Sequence, residues 1–167
     1  MSAFKRISLF LVLLFASVLL CLAVATTVAV SHAAPIAGAP AKAQTDDIAI
    51  DETNFPNTTF RQYVSEKADV DLDGYLSENE IAAVTDIYIS TMGISDLKGI
   101  EYFTALKNLY CQGNGLWSID LSRNTALERV TCSANNFTSL DLSALKSLQY
   151  LDCSQNKLTS ITIDSEV

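Results

Sequence analysis

A 21-residue period runs through the second half of the chain and restricts the folds open to it. Cys111, Cys132 and Cys153 recur at that interval, and so do Asn114, Asn135 and Asn156. The same step links Leu106, Leu127 and Leu148; Leu109, Val130 and Leu151; Leu116, Phe137 and Leu158; and Ile119, Leu140 and Ile161. A degenerate unit lies 22 residues earlier, with Val84, Ile87, Ile89, Met92, Ile94 and Leu97 in the equivalent places, which makes four units. One such coil cannot bury its apolar side chains alone, whereas stacked coils bury them against one another and extend a core in one dimension. Around "NLYCQ", "RVTCS" and "YLDCS" the residues alternate in and out, as a short strand requires. These strands are expected to pair in parallel along a concave face. Each Asn marks the turn after a strand, where its amide can bond backbone groups that stacking cuts off from water. "SIDLS" and "SLDLS" should cover the convex side in extended or 3-10 form, because a 21-residue coil has no room for a long helix.

The unit L-x-x-L-x-C-x-x-N-x-[LF]-x-S-[IL] is the leucine-rich-repeat pattern, so the expected fold is an α/β solenoid of about four coils over residues 84–167. Three cysteines stacked one strand apart, at about 4.7–4.9 Å, come within reach of a disulfide. They occupy a column that alternates with polar neighbours and replaces leucine, which reads better as small buried apolar residues carrying free thiols. A zinc site is a poor fit, since a linear ladder does not offer tetrahedral geometry.

Before the repeats stands "DVDLDGYLSENE", residues 69–80. Asp69, Asp71 and Asp73 take positions 1, 3 and 5 of an EF-hand loop. Gly74 sits at the sharp turn, the Tyr75 carbonyl at position 7, Ser77 at 9 and the Glu80 carboxylate at 12. Calcium needs six to eight oxygens and this set can supply them. Without an ion, four carboxylates crowd one turn and repel. The competing reading is a metal-free helix-loop-helix, because Ser77 and Glu80 also form a capping box for an exit helix. It leaves three alternating aspartates followed by glycine unexplained, so one calcium ion is expected here. EF-hands usually pair, yet there is one loop. The expected role of residues 51–83 is therefore an end cap, with Phe60, Val64, Leu76 and Ile81 packed toward Ile87, Ile89 and Ile94.

The N-terminus reads as a targeting segment over residues 1–33. Lys5 and Arg6 precede an uncharged apolar run at residues 7–30, and Ser31-His32-Ala33 suits cleavage before Ala34. The run is also long enough for a retained membrane anchor. Either outcome places the rest outside the cytoplasm, secreted or at the cell surface. Residues 34–50, Ala/Pro-rich at first, read as a flexible linker, with order beginning near Asp46. Once Lys5 and Arg6 are set aside, 9 basic residues face 19 acidic ones, which argues against nucleic acid and against anionic membrane surfaces. The single histidine, His32, lies in the targeting segment. A histidine-dependent nucleophilic triad or zinc site in the remaining residues is thereby excluded, and no enzyme activity is expected of them.

"NFPNTTFRQYVSEKADVDLDGYLSENEIAAVTDIYIS", "GISDLKGIEYFTALKNLYC" and "LDLSALKSLQYLDCSQNKLTSI" together resemble the bacterial cell-surface leucine-rich-repeat proteins of the internalin type, from about Asp51 onward. The resemblance implies an EF-hand-like helical cap, often metal-free in that group, followed by repeats that bind a protein partner, commonly as adhesins. The complete loop here departs from that pattern. On the concave face the repeat register aligns Asp86, Asn108, Arg129 and Tyr150, then Tyr88, Tyr110, Thr131 and Asp152, then Ser90, Gln112, Ser133 and Ser154. Tyr88, Tyr110, Arg129, Tyr150 and Asp152 are the candidate contact residues, because tyrosine and arginine suit protein interfaces. Two alternatives are a calcium-stiffened spacer and the N-terminal part of a longer enzyme. The repeats are expected to continue past Val167 or to self-associate there, since the last coil carries no closing element.

Overall fold

The computed structural model describes residues 46–163. The targeting segment and linker residues 34–45 lie outside them. No helix among the described residues is long and apolar enough to cross a membrane.

The cap holds two helices. Asn57 starts α1 (Thr58–Lys67) by accepting the Phe60 N–H at 3.0 Å, which satisfies a donor that the first turn leaves free. Phe60 and Val64, one turn apart, form its buried stripe, and Lys67 stands in the last turn where the helix dipole favours a cation. Ser77 starts α2 (Glu78–Ala83) with both halves of the expected capping box in place. The acidic loop joins the two helices.

Residues 34–50 need one correction. Ile48–Ala49 form strand β1, paired antiparallel with β2 (Tyr75–Leu76) in the acidic loop, with Ile48 opposite Leu76 and Ala49 opposite Tyr75. The chain just upstream of the cap thereby covers the short strand that the acidic loop would otherwise expose. Leu76, itself part of this ribbon, is fully buried.

Strands β3 (Asp86–Tyr88), β4 (Asn108–Tyr110), β5 (Arg129–Thr131) and β7 (Tyr150–Asp152) form one parallel sheet in coil order. Its register is the one the repeats dictate: Asp86, Asn108, Arg129 and Tyr150 in one row, Tyr88, Tyr110, Thr131 and Asp152 in another. Ile87, Leu109 and Val130 point inward and are buried. The convex side is extended where β6 (Ser139–Asp141) pairs with β8 (Ser160–Thr162), and 3-10 at Ile100–Tyr102. Asn114, Asn135 and Asn156 each bridge two coils. The Asn135 amide, for example, donates to the Cys111 and Cys132 carbonyls at 3.0 and 3.1 Å and accepts the Leu116 N–H at 3.1 Å. Met92 holds the Asn place in the degenerate first coil and is exposed; its N–H bonds to Asn114 of the next coil.

Phe60, Val64 and Leu76 share one continuous core with Ile87, Ile89 and Ile94, and Ile81 packs against it half-buried. The aromatic seam at this junction was not legible in advance. Phe55 is fully buried, edge-on to Phe60 with ring centres 6.0 Å apart, and also meets Tyr102 and Phe103. Gly99 makes room for it: a Cβ there would lie 2.3 Å from the Phe55 ring, and its φ of +102° already favours glycine. At the other end Leu151, Cys153 and Leu158 are half-buried, and Ile161 and Ile163 are exposed.

Candidate functional site

The acidic loop gathers three of its expected ligand residues. One carboxylate oxygen from each of Asp69, Asp71 and Asp73 falls within 4.8 Å of the others. Gly74 takes a φ of +85° and turns the chain sharply. Asp69 is buried, and its two oxygens accept the Asp73 and Gly74 N–H groups at 3.2 and 3.1 Å. Asp73 accepts the Tyr75 N–H at 2.8 Å. An ionised carboxylate has about four lone-pair sites, so one hydrogen bond per oxygen leaves capacity for a cation. Partial desolvation pushes the Asp71 carboxyl above its usual range, and the negative charges of Asp73, Glu80 and Asp69 push the same way. A hard divalent cation would relieve that repulsion, so the donor set suits calcium.

Glu80 makes the capping box that its spacing from Ser77 allows, and its carboxylate also reaches the loop backbone. One oxygen accepts the Val70 N–H at 2.7 Å; the other accepts the Ser77 N–H and hydroxyl at 2.9 and 2.8 Å. Burial raises the Glu80 pKa, but these hydrogen bonds outweigh it and hold the carboxyl below its usual range. Its charge therefore reaches the loop while it caps α2. Ser77 is engaged in the same box, and Tyr75 lies in the β1–β2 ribbon.

The concave sheet brings together the five residues singled out for contact. Tyr88 and Tyr110 stack with centroids 4.8 Å apart and planes 8° from parallel, the spacing of neighbouring strands. The Arg129 guanidinium lies 4.4 Å over the Tyr150 ring. Asp152 sits beside Thr131 in the register and accepts the Ser154 hydroxyl and N–H at 2.7 and 3.0 Å, which hold it ionised below its ordinary range. Tyr88 and Tyr150 remain 59% and 45% exposed, so these rings are held in place yet available. An exposed Lys107–Glu128 pair at 3.8 Å borders the sheet.

Two contributors were missed. Asp86 accepts the Thr85 hydroxyl and the Asn108 amide, both at 2.8 Å, and the Tyr88 hydroxyl at 3.4 Å. The Tyr63 hydroxyl of α1 accepts the Tyr88 N–H at 2.9 Å, so the cap closes the first strand's open edge with a side chain. Periodicity could have flagged Asp86, which heads the first register row; nothing in the sequence signals Tyr63, which reads as one more apolar helix residue.

The thiols are free: Cys111 and Cys132 are buried and Cys153 is half-buried. Burial pushes the Cys111 thiol far up and Cys132 up to about 12, with the neighbouring Cys153 and Asp152 adding to the latter.

This is a leucine-rich-repeat solenoid of about four coils behind a helix-loop-helix cap. No family model matches the chain. Internalin J of Listeria monocytogenes is 36% identical over 71 residues, 42% of this chain and 8% of that protein. A solved structure of the functional domain of InlJ from the same organism, said to include a cysteine ladder, superposes with a TM-score of 0.62 at 34% identity, over 68% of this chain and 25% of that one. A second, an internalin (inlF) from Listeria monocytogenes, gives 0.58 at 20% identity over 71% and 39%, a likeness of fold alone. The chain thus spans a small part of the length of these relatives. Over the aligned residues it is similar in sequence and in fold to these internalins.

Proposed function

We propose that this chain is a protein-recognition module that works outside the cytoplasm, secreted or at the cell surface, and binds its partner on the concave sheet. The observation that carries this reading is the row of ordered, exposed aromatic and guanidinium groups: Tyr88 on Tyr110, and Arg129 on Tyr150. Side chains already fixed by stacking lose little rotamer freedom when a partner arrives, and Tyr and Arg dominate interface energetics. The likeness to internalins and the basic-then-apolar N-terminal sequence support the location. The reading involves no catalysis.

The test is site-specific photo-crosslinking, with a photoreactive residue at Tyr110 or Ser133 on the sheet and at Trp117 or Lys98 off it. A discrete adduct with a surface protein from the sheet positions alone supports the reading. Adducts of equal yield from all four positions, or none from the sheet, contradict it.

The acidic loop is proposed to hold one calcium ion through Asp69, Asp71, Asp73, the Tyr75 carbonyl, Ser77 or a water beside it, and Glu80. The ion would supply positive charge that ties the loop between α1 and α2, stabilising the cap rather than switching it. The fit of the donor set supports this: converging aspartate oxygens, the left-handed glycine and the raised Asp71 pKa.

A further inference from the structure

We propose that the partner anchors a basic side chain, an arginine guanidinium or a lysine ammonium, against Asp86 and the open side of Tyr88, at the cap end of the concave sheet. This deepens the concave-face reading and rests on it. Asp86 already accepts three hydrogen bonds, all from neutral or weakly polar donors: Thr85, Asn108 and Tyr88. Those bonds, led by the Thr85 hydroxyl, keep the carboxyl ionised below its ordinary range. Among the described residues no Lys or Arg nitrogen lies within ion-pairing distance of it, and Lys107 is engaged with Glu128. The charge is ordered and aimed, and Lys107 acts on it only from beyond ion-pairing distance.

The space beside it is shaped. A groove of about 210 Å³ runs between α1 and the first coil, lined by Asp86, Glu80, Thr85, Val84, Tyr63 and Lys67 among others. Glu80 is committed to the acidic loop and the α2 cap, which leaves Asp86 as the carboxylate open to a partner there. Apolar walls from Val84 and Tyr63 suit the methylene stem of a long basic side chain, while Asp86 suits its head.

Tyrosine completes the match. Tyr110 covers one face of the Tyr88 ring, yet 59% of the residue stays exposed. Two coils along the same sheet, the chain's own Arg129 lies 4.4 Å over Tyr150, which shows that a tyrosine on this surface accepts a guanidinium. The chain's formal charge of −8 would steer a basic partner toward it at long range.

The test uses the full chain and three fluorescent peptides of equal length, built on a Gly/Ser background with Arg, Glu or Tyr at every third position, read by anisotropy at low salt. The Arg peptide should bind about tenfold or more tighter than the Glu peptide, and Asp86→Asn or Tyr88→Ala should each weaken it about tenfold. Asp120→Asn, off the concave sheet, removes the same charge and should change affinity by less than about twofold. Equal losses from Asp86→Asn and Asp120→Asn would reduce the effect to bulk charge and overturn the proposal. So would an Arg peptide that fails to bind, or one indifferent to Asp86→Asn. If the Tyr peptide binds, ignores Asp86→Asn and is lost with Tyr110→Ala, the sheet recognises protein but the basic anchor is wrong. If Asp86→Asn abolishes Arg-peptide binding while the crosslinked partner ignores Tyr110 and Arg129, the anchor stands and the wider concave reading falls.

Discussion

Replacing Asn135 by alanine should cost more stability than the same change at Asn156, its counterpart one coil on. Asn135 is buried, and its side chain meets four backbone groups from two coils. They do not suffer equally. The Cys111 carbonyl is shared with Asn114 and the Cys132 carbonyl with Asn156, so each keeps one donor when Asn135 goes. The Leu116 N–H loses the only partner described for it and is left buried. An orphaned buried donor costs about 1–3 kcal/mol, and the two lost carbonyl bonds about 0.5–1.5 kcal/mol each. The sum, roughly 2–6 kcal/mol, is a large share of the roughly 5–15 kcal/mol that holds a typical domain folded. For a domain of this size it corresponds to a drop in Tm of about 8–25 °C. Asn156→Ala orphans the Phe137 N–H in the same way, but Asn156 is only half-buried and should cost less. Asn135→Asp keeps the acceptor, loses both strong donor bonds and turns a charge on two carbonyl oxygens, so it should be no better than alanine. Thermal melts by circular dichroism compare the three. A loss under about 3 °C for Asn135→Ala, or a larger loss for Asn156→Ala, would refute the shared-carbonyl reasoning.

Other outcomes follow from the same structure. Titration calorimetry should find one calcium site, with Kd on the order of 10⁻⁴ M or tighter, and no heat at millimolar calcium would remove the ion from the account. At a hundredfold excess over Kd the ion should add about 2.7 kcal/mol, a gain that Asp69→Ala abolishes. Alkylation of the native protein should reach half-buried Cys153 before Cys132 or Cys111, whose raised pKa values leave almost no thiolate at neutral pH; a faster Cys111 would mean that the first coils open readily. Hydrogen bonds, led by the side chains of Ser122, Ser143, Ser154 and Thr85, lower Asp120, Asp141, Asp152 and Asp86 below the ordinary 3.8. Their contribution is fully present above that value and is lost as pH falls below it through the lowered folded-state pKa values, so Tm should decline below about pH 4. Asp71 has the opposite sign: its raised pKa disfavours the metal-free loop at neutral pH and eases as pH falls, so calcium should bind more weakly in acid.

Periodicity made the solenoid legible because each buried column, such as Leu109 and Val130, repeats a packing demand that only a neighbouring coil can meet. The strand register and the Asn bridges follow from the same spacing, and so did the alignment of Tyr88 with Tyr110 and of Arg129 with Tyr150. What escaped lies where the repeat gives way to the cap. Phe55 and Gly99 meet across more than forty residues, and their fit depends on one backbone turn that has no periodic signature. Ile48–Ala49 is too short for alternation to reveal, and it follows directly on an Ala/Pro-rich stretch that reads as linker. Glu80 had two competing readings, a loop carboxylate and a capping box, and the structure brings the box and a loop N–H onto one side chain.

The most direct measurement is the affinity of the crosslinked partner for the protein and for Tyr110→Ala/Arg129→Ala, alongside both melting temperatures. Both side chains lie on the outer face of the sheet, so Tm should move by no more than a few degrees, about 1 kcal/mol, while affinity falls about tenfold or more. Trp117→Ala, which removes an exposed aromatic off that sheet, is the control and should leave affinity unchanged. A double variant that binds as tightly as the parent, or a Trp117→Ala variant that loses binding instead, would contradict recognition on the concave face.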